Sequence, residues 1–172
     1  MDNKQSVFLV GPMGAGKSAV GRKLAEELGC EFLDSDEVIE SRTGVDIAYI
    51  FEREGESGFR ARERQVLDEL TKMPGVVLAT GGGAVQDAVN RGRLGSRGCV
   101  VYLHASVDQQ LRRTRTSRQR PMLKGGDARE ILEGLMAVRD PQYREIADVI
   151  VETDGRRVTA VTREIRRRLE EL

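Results

Sequence analysis

Short apolar runs alternate along the chain with longer segments in which apolar residues recur every three or four positions. Val7–Val10 is the first apolar run, and residues 17–28 follow it with Val20 and Leu24 at helical spacing. An apolar run of four residues predicts a buried strand, whereas the longer period predicts a helix packed against it. Repetition of this pair of signals is typical of an α/β domain with a parallel sheet.

The same pattern continues to the end of the chain. Further strands are predicted at residues 31–34, 76–79, 99–103 and 147–151, and further helices at residues 56–73 and 158–172. No internal repeat or linker divides the sequence. We therefore predict one domain over residues 1–172, with a three-layer α/β fold in which helices flank a five-stranded parallel sheet.

Composition narrows the range of partners. The 172 residues are 39% hydrophobic, and 28 Lys and Arg residues balance 28 Asp and Glu residues. This balance argues against a general polyanion-binding protein, and the absence of Trp leaves no evident platform for stacking bases. No apolar stretch suggests a signal peptide or a membrane span. We expect a cytoplasmic protein with no nucleic-acid or membrane partner, and a monomer, since no long heptad is present.

The most specific motif lies between the first strand and the first helix. Residues 11–18, Gly-Pro-Met-Gly-Ala-Gly-Lys-Ser, match G-x-x-x-x-G-K-[ST] in full. Glycines let backbone N–H groups converge on phosphate oxygens, and the start of the helix adds partial positive charge. Lys17 suits the β- and γ-phosphates, and the Ser18 hydroxyl suits Mg²⁺. The predicted nucleotide contacts are Gly14, Ala15, Gly16, Lys17, Ser18 and Ala19.

This phosphate loop (residues 11–18) identifies a nucleoside triphosphate site but leaves the reaction open between a switch GTPase, a mechanical ATPase and a kinase. No N-K-x-D stretch for guanine recognition follows it. Residues 112–126 carry six basic residues, no acidic one and a Gly-Gly pair at their end. That composition predicts a mobile cationic lid over about residues 112–127, which favours a kinase.

Two carboxylates follow the second strand. Asp34-Ser35-Asp36 lies at its carboxyl end, where ligands bind in open α/β sheets. Asp34 suits Mg²⁺, directly or through water, and Asp36 suits an acceptor hydroxyl. An acidic turn that caps the next helix explains the spacing equally well.

Two further features are less specific. Arg60 and Glu63 lie three positions apart on a predicted helix, so the carboxylate can orient the guanidinium, although surface ion pairs are common in helices. The glycine loop (residues 81–83) follows a buried strand and permits close backbone approach. A plain tight turn explains the three glycines nearly as well.

Taken together, these motifs resemble the shikimate kinase family. The resemblance rests on residues 11–18, Asp34-Ser35-Asp36, Gly58-Phe59-Arg60 with Glu63, Thr80-Gly81-Gly82-Gly83, Arg120-Pro121-Met122-Leu123 and Arg139-Asp140-Pro141-Gln142-Tyr143. They occur in the family's order and extend over about residues 7–151. The resemblance implies phosphorylation of the 3-hydroxyl of shikimate by ATP with Mg²⁺, in the route to chorismate and the aromatic amino acids.

The resemblance also implies roles for particular residues. Shikimate would be bound by Asp36, Arg60, Gly81, Gly82, Gly83 and Arg139, with an acceptor-binding helical region at about residues 35–62. Arg113 matches an arginine that stacks on adenine, and Arg120 matches a lid arginine that contacts the transferred phosphoryl group. Mg²⁺ would be held by Ser18 and Asp34, and catalysis would depend on Lys17, Asp36 and Arg120.

Two alternatives stay open on the sequence. A related kinase acting on gluconate or a nucleoside monophosphate would share the phosphate loop. A phosphorylated acceptor, however, would need more fixed cations than Arg60 and Arg139 supply. A nucleotide-binding regulator without turnover is the second alternative, and the presence of Lys17, Asp34 and Arg120 argues against it.

Overall fold

The computed structural model describes residues 5–114 and 127–172, which form five β-strands, seven α-helices and one short 3-10 helix. The strands are β1 (Val7–Val10), β2 (Glu31–Asp34), β3 (Val76–Ala79), β4 (Cys99–His104) and β5 (Val149–Glu152). The α-helices are α1 (Lys17–Leu28), α2 (Ser35–Thr43), α3 (Ile47–Leu70), α4 (Ala88–Arg97), α5 (Val107–Thr114), α6 (Ala128–Ile146) and α7 (Val158–Glu170). The 3-10 helix is Ala84–Gln86.

The five strands form one parallel sheet in the order β2-β3-β1-β4-β5. The predicted five-stranded sheet is therefore confirmed. The predicted bounds of the last strand, residues 147–151, are wrong at the start, because the N–H of Ala147 still bonds the carbonyl of Tyr143 at the end of α6. Since all strands run the same way, their carboxyl ends meet at one edge of the sheet, where β1 and β3 lie side by side.

Alternation along the strands divides the core into two layers. Phe8 and Val10 point to one face of the sheet, where α2, α3, α4 and α6 supply the apolar partners. Val7 and Leu9 point to the other face, which α1 and α7 cover. Every residue of β1 is buried, as expected for a central strand with helices on both faces.

Helix α3 begins earlier than the sequence predicts. The predicted helix at residues 56–73 matches only the second part of α3 and extends three residues too far, because α3 starts at Ile47 and ends at Leu70. The helix kinks at Gly55, where φ is 72° and ψ is −179°. The kink brings the Phe51 and Phe59 rings to 4.9 Å. A positive φ is open to glycine at little cost, so Gly55 permits this kink between the two parts of α3.

Thr80 fixes the loop after β3 to the neighbouring strand. Its N–H and its hydroxyl donate to the Leu9 carbonyl at 3.1 and 3.0 Å. The β1–β3 register pairs Leu9 with Ala79, so these two bonds continue the ladder one residue beyond the strand. The glycine loop thus starts from a fixed point beside the phosphate loop.

Most of the predicted lid, including Arg120, lies outside the described residues. Its described part is the end of α5 and Asp127, whose side chain caps α6 by accepting from the Arg129 N–H. Within residues 5–114 and 127–172, no helix is long and apolar enough to cross a membrane.

Candidate active site

The phosphate loop has a backbone that only glycines adopt readily. Gly11, Gly14 and Gly16 have φ values of 148°, 81° and 86°. A Cβ on Gly11 would lie 2.4 Å from the Leu103 carbonyl oxygen. The motif spacing therefore matches the backbone conformation, and the loop leads directly into the positive end of α1.

Lys17 lies within the curve of this loop. Its ammonium donates to the carbonyls of Gly11 and Pro12 at 2.7 and 2.9 Å. These are the first two residues of the motif, so the positive charge lies across the loop from the start of α1. A triphosphate in the loop would meet the ammonium, the backbone N–H groups and the helix dipole together.

Asp34 caps α2 and also contacts Ser18, so the capping role is confirmed and the Mg²⁺ role stays a prediction. One carboxylate oxygen accepts from the N–H groups of Asp36 and Glu37 at 2.9 and 3.3 Å, which makes Asp34 the N-cap of α2. The other oxygen accepts from the Ser18 hydroxyl at 2.7 Å. A hydroxyl and a carboxylate side by side beside a phosphate loop are hard oxygen donors that suit Mg²⁺. The residues present therefore fit this cation.

Arg60 and Glu63 form a buried ion pair rather than a surface one. Arg60 Nη1 lies 2.8 Å from Glu63 Oε1, and the Glu63 side chain is 0% exposed. Burial raises the pKa of Glu63 to about 7, although Arg60 and Arg139 both act to lower it. The alternative prediction, an ordinary solvent-exposed ion pair on a helix surface, is therefore wrong for Arg60 and Glu63.

The glycine loop presses against charged side chains of the acceptor region. A Cβ on Gly83 would lie 2.2 Å from Arg60 Nη2 and 2.8 Å from Arg139 Nη2. A Cβ on Gly81 would lie 2.9 Å from Glu63 Oε2 and 3.0 Å from Asp36 Oδ1. The absence of side chains in this turn is therefore what lets two arginines and two carboxylates approach the loop.

Polar contacts hold the glycine loop from two sides. The Gly81 N–H donates to the Ser35 hydroxyl at 3.2 Å, and the Tyr143 hydroxyl donates to the Gly82 carbonyl at 2.5 Å. The sequence predicted no role for Tyr143, although this residue ends the motif of residues 139–143. Its burial and its ring contact with Tyr102, at 4.8 Å between centroids, become visible only in the fold.

Arg139 reaches the loop from α6 and is 3% exposed. Burial lowers its pKa from the ordinary value for arginine. Its Nε and Nη2 atoms donate to the side-chain oxygen of Gln86 at 3.3 and 3.1 Å. Gln86 was missed by sequence reasoning, because nothing in the sequence links residues 53 positions apart.

One cavity of about 440 Å³ joins the phosphate loop to the acceptor region. Of the predicted site residues, those that line it are Gly14, Gly16, Lys17, Ser18, Ala19, Asp34, Asp36, Arg60, Gly81, Gly82, Gly83, Arg113 and Arg139. Ala15 is not among its lining residues and is 1% exposed. Arg113 lies close to the phosphate loop, with Nη1 3.0 Å from the position of a Cβ on Gly16. Arg120 lies outside the described residues.

Comparisons with known proteins agree with this geometry. A family model described as shikimate kinase (SKI) matches residues 13–170. A shikimate kinase of Halorhodospira halophila is 60% identical over 159 residues, which are 92% of this chain and 90% of the relative. A shikimate kinase of Vibrio campbellii is 53% identical over 171 residues, 99% of each chain.

A solved structure shows the same architecture. The shikimate kinase from Acinetobacter baumannii, determined in complex with shikimate, superimposes with a TM-score of 0.95 at 49% identity. The superposition covers 97% of this chain and 93% of that one. Both the fold and the sequence likeness therefore extend over nearly the whole chain.

Proposed function

Because the chain belongs to the shikimate kinase family, it is an ATP-dependent kinase that acts on an alcohol group of shikimate, and we propose that the cavity described above is its active site. The reaction transfers the γ-phosphoryl group of ATP to the 3-hydroxyl, giving shikimate 3-phosphate and ADP. The observation that carries the assignment of the cavity is the meeting of a phosphate loop and two arginines within one space.

In the proposed donor half, the phosphate loop and Lys17 bind the β- and γ-phosphates. Ser18 and Asp34, 2.7 Å apart, would hold Mg²⁺. Bound there, the cation would add positive charge next to the phosphate oxygens. The lysine adds a second positive charge on the other side of the loop. Ala19 provides no hydroxyl, so the side-chain oxygen at this end of the motif comes from Ser18 alone.

In the proposed acceptor half, Arg60 and Arg139 bind the carboxylate of shikimate, since a planar guanidinium can bind a carboxylate through two parallel hydrogen bonds. Asp36 orients the attacking hydroxyl or accepts its proton. Gly81, Gly82 and Gly83 form the wall between the two halves without a side chain in the way. Phe51 and Phe59 add an apolar surface for the ring.

The remaining proposed roles belong to the lid side. Arg113, beside Gly14 and Gly16, would stack on the adenine of ATP. Arg120 would contact the transferred phosphoryl group from a lid over about residues 112–127. Closure would exclude water and suppress hydrolysis of ATP.

We further propose one kinase domain over residues 1–172, with an acceptor-binding region at about 35–62, acting as a monomer in the cytoplasm. The monomer is proposed because the sequence contains no long heptad that would form an interface between helices of two chains. The cytoplasm is where ATP is available to such an enzyme. Analytical ultracentrifugation at the concentration used in the activity assay tests the monomer. Cell fractionation tests the cytoplasmic location.

The proposed activity is tested by an ADP-release assay with Mg-ATP and, in parallel, shikimate, gluconate, AMP or no acceptor. We expect release with shikimate alone, and loss of release when Mg²⁺ is chelated. Release that is equal without acceptor would contradict the proposed architecture, because the acceptor half would then have no part in turnover.

A further inference from the structure

The two arginines of the acceptor half differ in their partners. Arg60 contacts carboxylates, with Nη1 2.8 Å from Glu63 and Nη2 3.5 Å from Glu56. Arg139 instead donates to the neutral amide oxygen of Gln86 at 3.3 and 3.1 Å. Within residues 5–114 and 127–172, no carboxylate lies within 4.0 Å of the Arg139 guanidinium. Among the described residues Arg139 is thus a buried cation without a directly paired carboxylate, and Glu56 and Glu63 act on its pKa only from a longer distance.

The contact with Gln86 occupies only one of the two donor edges of the Arg139 guanidinium. Gln86 occupies the edge formed by Nε and Nη2. The Nη1 and Nη2 ends lie beside the glycine loop, 3.6 Å and 2.8 Å from the Cβ positions of Gly82 and Gly83. Besides Gln86, only the neutral Tyr143 hydroxyl is a further side-chain partner of this guanidinium among the described residues. Since a guanidinium offers two donor edges to planar anions, its second edge can still bind a carboxylate.

The backbone of Gln86 is fixed by the 3-10 helix, and this places its side chain beside Arg139. It is the last residue of the 3-10 helix that follows the glycine loop, and its N–H bonds the Gly83 carbonyl at 3.1 Å. The same turn therefore sets both the glycine wall and the amide that holds Arg139. An amide oxygen orients a guanidinium without cancelling its charge, whereas a carboxylate at this position would pair with it.

We propose that Gln86 is a positioning residue that orients Arg139 while leaving its positive charge for the carboxylate of the acceptor. This inference rests on the proposed function, in which Arg139 binds that carboxylate. Gln86 itself is exposed at the surface and is not expected to touch the reacting atoms. Its neutrality, rather than its size, is the property that supports acceptor binding.

The test compares three variants and two acceptors by binding calorimetry and steady-state kinetics. Gln86→Glu should weaken binding of shikimate at least about tenfold, because the new carboxylate competes for Arg139. Gln86→Met should weaken it by only about two- to fivefold, since orientation is lost but charge is kept. Val89→Glu, an exposed position nearby in sequence, adds the same charge and should change binding by less than about twofold. The KM for ATP should not change in any of them.

The uncharged carboxamide of shikimate separates this role from a structural one. If Gln86 acts through Arg139 on the carboxylate, Gln86→Glu should leave binding of the carboxamide within about twofold of wild type. Equal losses for both acceptors, or no loss for shikimate, would overturn the inference.

Arg139→Met distinguishes a failure of this inference from a failure of the proposed function. It should weaken shikimate binding by about 30-fold or more if Arg139 binds the carboxylate. If Arg139→Met weakens binding and Gln86→Glu does not, only the role of Gln86 is refuted. If neither weakens binding, the proposed acceptor half is refuted as well.

Discussion

Replacement of the buried Glu63 by glutamine should change how the stability of the protein depends on pH. Burial raises the pKa of Glu63 from 4.5 to about 7, a difference of about 2.5 pH units. Each unit corresponds to about 1.4 kcal/mol, so deprotonating this carboxyl in the folded protein lowers the free energy of unfolding by at most about 3.5 kcal/mol. The side chain is 0% exposed, so solvent does little to screen this cost.

The sign follows from proton binding. Between pH 4.5 and about 7 the folded protein holds a proton on Glu63 that the unfolded chain has lost, so stability falls as the pH rises through this range. Glu63→Gln carries no titratable group and should lack this fall. The difference in unfolding free energy between Glu63→Gln and wild type should therefore move in favour of the variant by about 2 to 3 kcal/mol from pH 4.5 to pH 8.

Urea unfolding of the ligand-free protein at several pH values measures this difference directly. Glu52→Gln is the matched control, because it makes the same substitution at an exposed position of the same helix. A profile of Glu63→Gln parallel to wild type would refute the reasoning, since it would mean that Glu63 has the same pKa in the folded and unfolded states.

Three further predictions concern the donor half of the site, the acceptor half and the proposed lid. Lys17→Ala should lower turnover at least about a hundredfold while the circular dichroism spectrum stays unchanged, and a rate near wild type would exclude the lysine from phosphate binding. Gly83→Ala places a Cβ 2.2 Å from Arg60 Nη2, so the KM for shikimate should rise about tenfold with the KM for ATP unchanged. A parallel rise in both constants would indicate general damage instead. Arg120→Ala should reduce turnover by about a thousandfold without altering thermal unfolding, and a full-rate enzyme would refute the proposed lid arginine.

The central strands were predictable because buried parallel strands are continuous apolar runs, whereas the edge strand β2 begins and ends with an acidic residue and is only partly buried. Val7–Val10, Glu31–Asp34 and Val76–Ala79 have the predicted bounds. The errors lie where tertiary packing overrides local pattern. The start of α3 at Ile47 was missed because Gly55 interrupts the helical signal, although a single left-handed residue lets the element continue beyond it.

In the candidate site, too, the part formed by one short segment was predictable from the sequence, whereas the contacts between distant segments were not. The phosphate loop was recognisable because its chemistry is local, with every required residue within one short segment. The acceptor side was found through the ordered motifs rather than through spacing. Gln86 and Tyr143 received no role, because their contacts with Arg139 and Gly82 join segments 53 and 61 positions apart. Only the packing of α6 against the 3-10 helix and the glycine loop brings those pairs together.

The two hydrogen bonds from Thr80 to the Leu9 carbonyl fix the position of the glycine loop relative to the phosphate loop. The donor is carried by the loop after β1 and the acceptor wall by the loop after β3, so the distance that the phosphoryl group must cross is set by the alignment of two adjacent strands. A slip of one residue would move one loop by about 3.3 Å relative to the other, which is as long as the gap between reacting atoms at the point of transfer. If the cavity is the active site, the distance between the donor and acceptor loops is therefore set by strand pairing, which the two hydrogen bonds of Thr80 extend by one residue.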